Sequence, residues 1–195
     1  MLEMKHYCAR ELGFTLIELM VTLAIAAILM VVAVPSMTAY KRNAELTSAT
    51  TTLLAALNSA RGEAMKRGMS AMVVPTSNGT NWNTGWVVFV DKNRTQVYDA
   101  SADQTVLSQE ALPSYFNITG NGTANTSSPY IMFDASGYSK TKSGGFGALT
   151  FTLTRTDLSS AQLLEQTRRI IVASTGRVRI CRPSLDATCT ASASQ

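Results

Sequence analysis

The chain opens on polar residues, MLEMKHYCARELG, and then changes character. From Leu19 to Tyr40 there are 22 consecutive residues without a charge, LMVTLAIAAILMVVAVPSMTAY. A bilayer core of about 30 Å is crossed by about 20 helical residues, so this run is long enough to span one. No second run of the kind occurs. Past Tyr40 the pattern becomes amphipathic. Leu46, Thr50, Leu53, Leu57, Ala60 and Ala64 recur at helical spacing and form one apolar stripe, with Lys41, Arg42, Glu45, Asn58, Arg61 and Lys66 on the opposite face. Lys66-Arg67-Gly68, a basic last turn and then a glycine, marks the stop. A helix from Phe14 to about Arg67 would measure roughly 80 Å at about 1.5 Å per residue. Two helices hinged at Pro35, where the hydrogen-bond ladder loses a donor, are the alternative.

Beyond Gly68 the period changes to alternating β-branched and aromatic residues. Strands are expected at Ser70–Val74, Gly85–Val90, Gln96–Tyr98, Thr105–Gln109, Tyr115–Thr119, Tyr130–Phe133, Ala148–Thr154, Arg169–Ser174 and Arg177–Cys181. Asn78-Gly79, Asp91-Lys92-Asn93, Asn121-Gly122, Ser136-Gly137 and Thr175-Gly176 mark turns, and Ser159 to Gln166 suits one short helical turn. The polar stretch from Asn121 to Pro129 is the expected mobile loop. The order of elements predicts an α+β chain, its long helix packed on a β-sandwich or strongly twisted antiparallel sheet.

Composition agrees with this division. Hydrophobic residues are 46% and charged residues only 15%, against about 25% charged in a soluble domain, and the uncharged run accounts for the deficit. A disordered chain is excluded. The net charge of +4 is too mild to name a partner. Three cysteines, Cys8, Cys181 and Cys189, are too few for a disulfide scaffold or a four-thiolate site. His6 is the single histidine, and no G-x-S-x-G, Walker A or H-E-x-x-H string occurs. Gly144-Gly145-Phe146-Gly147 precedes a strand rather than a helix and reads as a loop. Asp91-Lys92-Asn93-Arg94-Thr95 opens like a calcium loop, but Gln96 and Ala102 stand where its glycine and bidentate acid belong. A hairpin connection is the better reading. No enzyme, cofactor or metal site is expected.

A secretory signal peptide does not explain the N-terminus: the apolar run exceeds the usual span of about 7–15 residues, and no small-x-small cleavage site follows it. Glu18, a carboxylate at the mouth of the run, also asks for a partner. The string Gly13-Phe14-Thr15-Leu16-Ile17-Glu18-Leu19 resembles the processing site of type IV pilins and type II secretion pseudopilins. The resemblance implies a leader, 1–13, removed after Gly13 by a prepilin peptidase on the cytoplasmic side, with methylation of the new Phe14 amine. It implies a pilin-like division into a transmembrane helix over 14–40, its amphipathic continuation over 41–67, and a β-rich two-sheet domain over 68–195. Glu18 would set register by facing the Phe14 amine of a neighbouring subunit, bringing in other major and minor pilins as partners. A plain membrane anchor with an incidental acid is the alternative. Lys5 and Arg10 before the span match Lys41 and Arg42 after it, so charge does not orient it. The resemblance places the N-terminus in the cytoplasm, a single pass in the bacterial inner membrane, the domain in the periplasm, and the assembled subunit on the pilus at the cell surface.

Three inner stretches, Trp86-Val87-Val88-Phe89-Val90-Asp91-Lys92-Asn93, Phe133-Asp134-Ala135-Ser136-Gly137 and Ser174-Thr175-Gly176-Arg177-Val178-Arg179, are similar to landmarks of the FimT/FimU and GspH group of minor pilins. They also read as ordinary strand and turn chemistry, with Trp86, Phe89 and Phe133 as core residues. Outside the cytoplasm, Cys181 and Cys189 read as a disulfide. Two thiols without histidine make a poor metal site. Between Arg155 and Arg182 there are six arginines, Arg155, Arg168, Arg169, Arg177, Arg179 and Arg182, against Asp157 and Glu165. Arg177 and Arg179 project from one face of a strand, and arginine suits bidentate phosphate contact. Gly176-Arg177-Val178-Arg179 matches a Gly-Arg-x-Arg element that, in the FimT branch, is associated with sequence-independent DNA binding during natural transformation. Solubilising a strand face is the plain alternative. The expectation is a minor pilin that joins, and helps to initiate, a type IV pilus and displays a DNA site. The pseudopilin of a type II secretion machine is the alternative.

Overall fold

The computed structural model describes residues 13–76 and 79–192. The leader before Gly13, with His6 and Cys8, and Asn78 of the expected Asn78-Gly79 turn lie outside the described residues. The N-terminal pattern becomes a single helix, α1 (Leu16–Arg67), which continues through Pro35 rather than breaking into two. Two compact units divide the chain at Arg42 and Asn43. In the first, every described large apolar side chain from Phe14 to Tyr40 is exposed. Among the described residues α1 is the one helix long and apolar enough to cross a membrane. A helix apolar on all sides is stable only in lipid or among other apolar helices.

The second unit begins on the amphipathic part of α1. All six positions of the expected stripe, Leu46, Thr50, Leu53, Leu57, Ala60 and Ala64, are buried, joined by Ala49 and Ala56. The Thr50 hydroxyl returns to the Leu46 carbonyl at 2.7 Å, which allows a polar residue inside the stripe. The helix stops as its last turn predicts. Gly68 takes φ +65° and the Met69 N–H donates to the Ala64 carbonyl at 3.2 Å, satisfying a carbonyl that the ladder leaves over.

Two antiparallel sheets cover this stripe. One contains β1 (Ala71–Pro75), β2 (Trp86–Val90), β3 (Gln104–Gln109), β5 (Ile131–Phe133) and β6 (Ser139–Lys140), in the order β3-β2-β1-β5-β6. The other contains β4 (Phe116–Gly120), β7 (Leu149–Arg155), β8 (Arg168–Val172) and β9 (Val178–Cys181), in the order β4-β7-β8-β9. A short helix, α2 (Ser160–Leu163), joins β7 to β8 where a helical turn is expected. Alternate residues of both sheets, among them Val73, Trp86, Phe133, Phe151 and Ile170, share one core with Leu46, Leu53 and Leu57. The remaining faces of β1, β2 and β5 form a second cluster, Met72, Val74, Val87, Phe89, Tyr130 and Met132, on which Tyr98 packs. Burial on both faces explains why β2 reads Trp-Val-Val-Phe-Val without a polar position.

One expected strand is corrected. Gln96–Tyr98 is not a strand. The Asp91 carboxylate accepts from the N–H groups of Thr95 and Gln96, each at 3.1 Å, and Arg94 and Gln96 take φ +59°, so the segment curls and lays Tyr98 on the sheet. The Asp91 run is thus part of the connection between β2 and β3, which pair antiparallel. β6 was not expected: two residues behind a tight turn carry too short a pattern to read. The loop from Asn121 to Pro129 is pinned at Ala124, which is buried and accepts from the Trp82 indole N–H at 3.0 Å.

Candidate functional site

At the N-terminus, Thr15 and Glu18 form a reciprocal cap. The Thr15 N–H and hydroxyl donate to the Glu18 carboxylate at 2.9 and 2.7 Å, and the Glu18 N–H donates to the Thr15 hydroxyl at 3.3 Å. Thr-x-x-Glu at a helix start favours this arrangement, which satisfies donors the ladder cannot reach. Within one chain, then, Glu18 closes on Thr15. Phe14 stands beside it, 83% exposed.

The six arginines separate into two groups. In β8, Arg168 has the parity of the core residues Ile170 and Val172 and points inward. It is buried and donates to the Glu165 and Thr167 carbonyls at 3.1 and 3.2 Å and to Asn43 Oδ1 at 3.0 Å. Burial, and then the charge of Arg182, lower its pKa. Arg155 is buried in a two-pronged pair with Asp157 at 2.6 and 2.9 Å and also donates to Gln166. Arg169 donates to the Cys189 carbonyl. Arg168 and Arg155 are therefore fold residues, spent before any ligand arrives. Sequence reading placed Arg168 with the surface group because charge alone does not reveal which face of a strand it occupies.

Arg177, Arg179 and Arg182 remain. Pairing Arg179 with Ile171 and Cys181 with Arg169 puts Arg179 on the outer face of the second sheet, and Arg177, two residues earlier, shares its parity. Arg177 and Arg182 are exposed, and their guanidinium groups donate no hydrogen bond among the described residues. Arg179 is half-buried and makes two long contacts, to Asp186 Oδ2 and the Thr188 carbonyl, each at 3.3 Å. Asp186 in turn accepts from the Thr188 hydroxyl and N–H at 2.6 and 2.8 Å. Those bonds, with a smaller part from Arg179, hold its carboxyl below the usual range.

A disulfide joins Cys181 and Cys189 and lays the C-terminal segment over this face, where both half-cystines pack with Ile171. Between segment and strand lies a cavity of about 100 Å³ lined by Arg177, Arg179, Thr188, Thr190 and Ser192 on Ile171 and Ala173. The two guanidinium groups can hold an oxyanion by charge-assisted hydrogen bonds, whereas the Thr188 and Thr190 hydroxyls already donate to Asp186 and to the Ser192 carbonyl. No group of three or more His, Cys, Asp or Glu suited to a metal occurs among the described residues.

The turn before Arg177 is fixed from below. Gly176 has φ +79°, and a Cβ there would stand 1.8 Å from the Gly137 carbonyl oxygen. Arg61 donates to that same carbonyl at 2.9 Å. Thus the Ser136-Gly137 and Thr175-Gly176 turns meet on one arginine from α1. Arg61 belonged to the expected polar face and its role was missed. Its spacing places it there correctly, and only the two turns arriving from elsewhere give it work.

A helix apolar in its first part, amphipathic in its second, and two antiparallel sheets over the amphipathic part together define the type IV pilin-like class, that of minor pilins and pseudopilins. The model of the type II transport protein GspH family matches residues 49–176, and that of the prokaryotic N-terminal methylation motif matches residues 8–34. The chain belongs to the GspH family. Among solved structures, it is similar to the type IV minor pilin FimU of Pseudomonas aeruginosa, at 17% identity and a TM-score of 0.53, over 74% of this chain and 94% of that one. It is also similar to the minor pseudopilin EpsH from the type II secretion system of Vibrio cholerae, at 13% identity and a TM-score of 0.48, over 71% and 98%. At 17% identity the likeness to FimU is one of fold. Among curated proteins none matches the chain.

Proposed function

We propose that the chain is a minor type IV pilin, cut after Gly13 and methylated on Phe14, that displays a DNA-binding site on its β domain. The apolar part of α1 holds it in the inner membrane, N-terminus in the cytoplasm, until it enters the pilus. Glu18, free to exchange Thr15 for the Phe14 amine of a neighbouring subunit, sets axial register there. The observation that carries the DNA reading is the pair Arg177 and Arg179 on one outer strand face, both lining one cavity. Such a site grips phosphate and reads no bases, which suits DNA of arbitrary sequence.

The test is a titration of labelled duplex DNA against the processed chain in neutral detergent. With Arg177, Arg179 and Arg182 each neutralising one phosphate, the slope of log K on log salt is about −2.7, a loss of roughly 40-fold between about 50 and 200 mM. The Arg177→Gln, Arg179→Gln variant should bind far more weakly, with a slope near −0.9. Equal affinity of variant and wild type would dismiss the site. The description of the matching family favours a second reading, a pseudopilin of a type II secretion system. Deleting the gene separates the two, by loss of DNA uptake or of protein secretion.

A further inference from the structure

One aromatic ring of the second unit stays largely in water. Phe146 is 63% exposed, yet it does not sit on a loose tip. The Gly147 N–H donates to the Ser139 carbonyl and the Thr141 N–H to the Gly145 carbonyl, each at 2.9 Å, and Phe146 forms a β-bridge with Lys140. Tyr138, also exposed, meets the ring edge-on with centroids 5.6 Å apart, and Lys140 Nζ stands 3.7 Å from the Phe146 centroid. A rigid frame that keeps a phenyl ring in water gives up the burial free energy that rings ordinarily contribute.

The charge around the ring is the second observation. Lys142 Nζ lies 4.7 Å from the Tyr130 centroid. Among the described residues the acid paired with Lys140 is Asp134, at 3.9 Å. Next to Tyr138 in the chain, the Ser139 N–H donates at 3.1 Å to the carbonyl of Ser174, in the turn that leads to Arg177. A fixed pair of rings among cations, one hydrogen bond from the arginine turn, complements a polyanion that presents open π faces. Bases of a single strand stack on such rings, and an ammonium behind the ring adds cation–π attraction. Bases of a duplex are stacked on each other and offer only phosphates to the arginines.

We infer that Phe146 and Tyr138, backed by Lys140, form a base-stacking step that makes the chain prefer single-stranded DNA over duplex. This rests on the DNA reading of Arg177 and Arg179. The test uses the processed full chain in neutral detergent, with fluorescence anisotropy of a labelled oligothymidylate and of a duplex of equal length. Wild type should bind the single strand more tightly. Phe146→Ala should weaken single-strand binding about tenfold, the loss of one stacked base, and change duplex binding by less than about twofold. Phe146→Trp, which keeps a stacking face, should retain the preference. Arg177→Gln, Arg179→Gln should weaken both ligands. Single-strand affinity untouched by Phe146→Ala, or both ligands weakened equally, overturns the stacking step while the arginine site stands. The same variant failing to enter filaments, with single-strand binding intact, assigns the ring to a protein partner and overturns the inference as well. An arginine double variant that binds both ligands as wild type does removes the reading beneath it.

Discussion

Replacing Gly176 with alanine should damage both stability and DNA binding without changing any charge. An L residue held at φ +79° sits where its Cβ crowds the following carbonyl, at a cost of about 1–2 kcal/mol. The added Cβ would also stand 1.8 Å from the Gly137 oxygen, so the two turns must part and Arg61 loses its 2.9 Å bond to that carbonyl. A hydrogen bond from a charged donor contributes about 1.5–3 kcal/mol. Together the loss is about 2.5–5 kcal/mol, which for a domain of this size lowers Tm by roughly 5–20 °C. Gly144→Ala is the control: its φ is +89° but nothing lies within 4 Å of a Cβ there, so only the conformational part applies. Thermal unfolding of the portion from Asn43 onward, followed by circular dichroism, measures the difference. Gly176→Ala should also weaken duplex binding, because Arg177 moves with the turn. If Gly176→Ala melts with Gly144→Ala and binds DNA as wild type does, the meeting of the turns does not position the arginines and the reasoning is wrong.

Further outcomes follow from the same geometry. Cys189→Ser opens a loop with a sequence separation of 8 and should cost about 2.5 kcal/mol in the chain-entropy model, or roughly 5–10 °C in Tm, reproduced in wild type by reductant; an unchanged melt in both would refute it. Thr188 and Arg179 hold the Asp186 carboxyl below its ordinary value, so the folded form yields the proton more readily than the unfolded one. Its contribution is complete above about pH 4 and is lost as pH falls through the depressed value; a carbon-detected NMR titration giving Asp186 an ordinary or raised pKa would contradict this. Glu18→Ala should leave the protein inserted in the membrane but poorly recruited to filaments, and normal recruitment, scored by immunoblot of sheared pili, counts against the register role.

Much of the fold was legible because its signals are local. The stripe from Leu46 to Ala64 needs only the helical period, and the stop at Gly68 needs only the residues around it. The strands of the second sheet were found within a residue or two, since β-branched alternation between turn residues is also local. What failed depends on contacts between distant segments. Gln96–Tyr98 has strand-forming residues, but the Asp91 carboxylate bends it and Tyr98 packs on an outer face that the sequence does not announce. The candidate site shows the same division. Arg177 and Arg179 share a face by spacing alone. The burial of Arg168 depends on β8 pairing with β7 and β9, and on Asn43 arriving from α1. Arg61 could be placed on a polar face, but not under two turns from two sheets. The Gly144-Gly145-Phe146-Gly147 loop could be recognised, but not its rigid hold on an exposed ring.

The account depends on the apolar part of α1 being kept at maturation, as the shaft through which subunits bundle. Intact mass and N-terminal sequencing of protein purified from the native membrane address this directly. The expected product begins at Phe14 and carries one added methyl group on its terminal amine. A chain that still begins at Met1, or one that begins beyond Pro35, would contradict it.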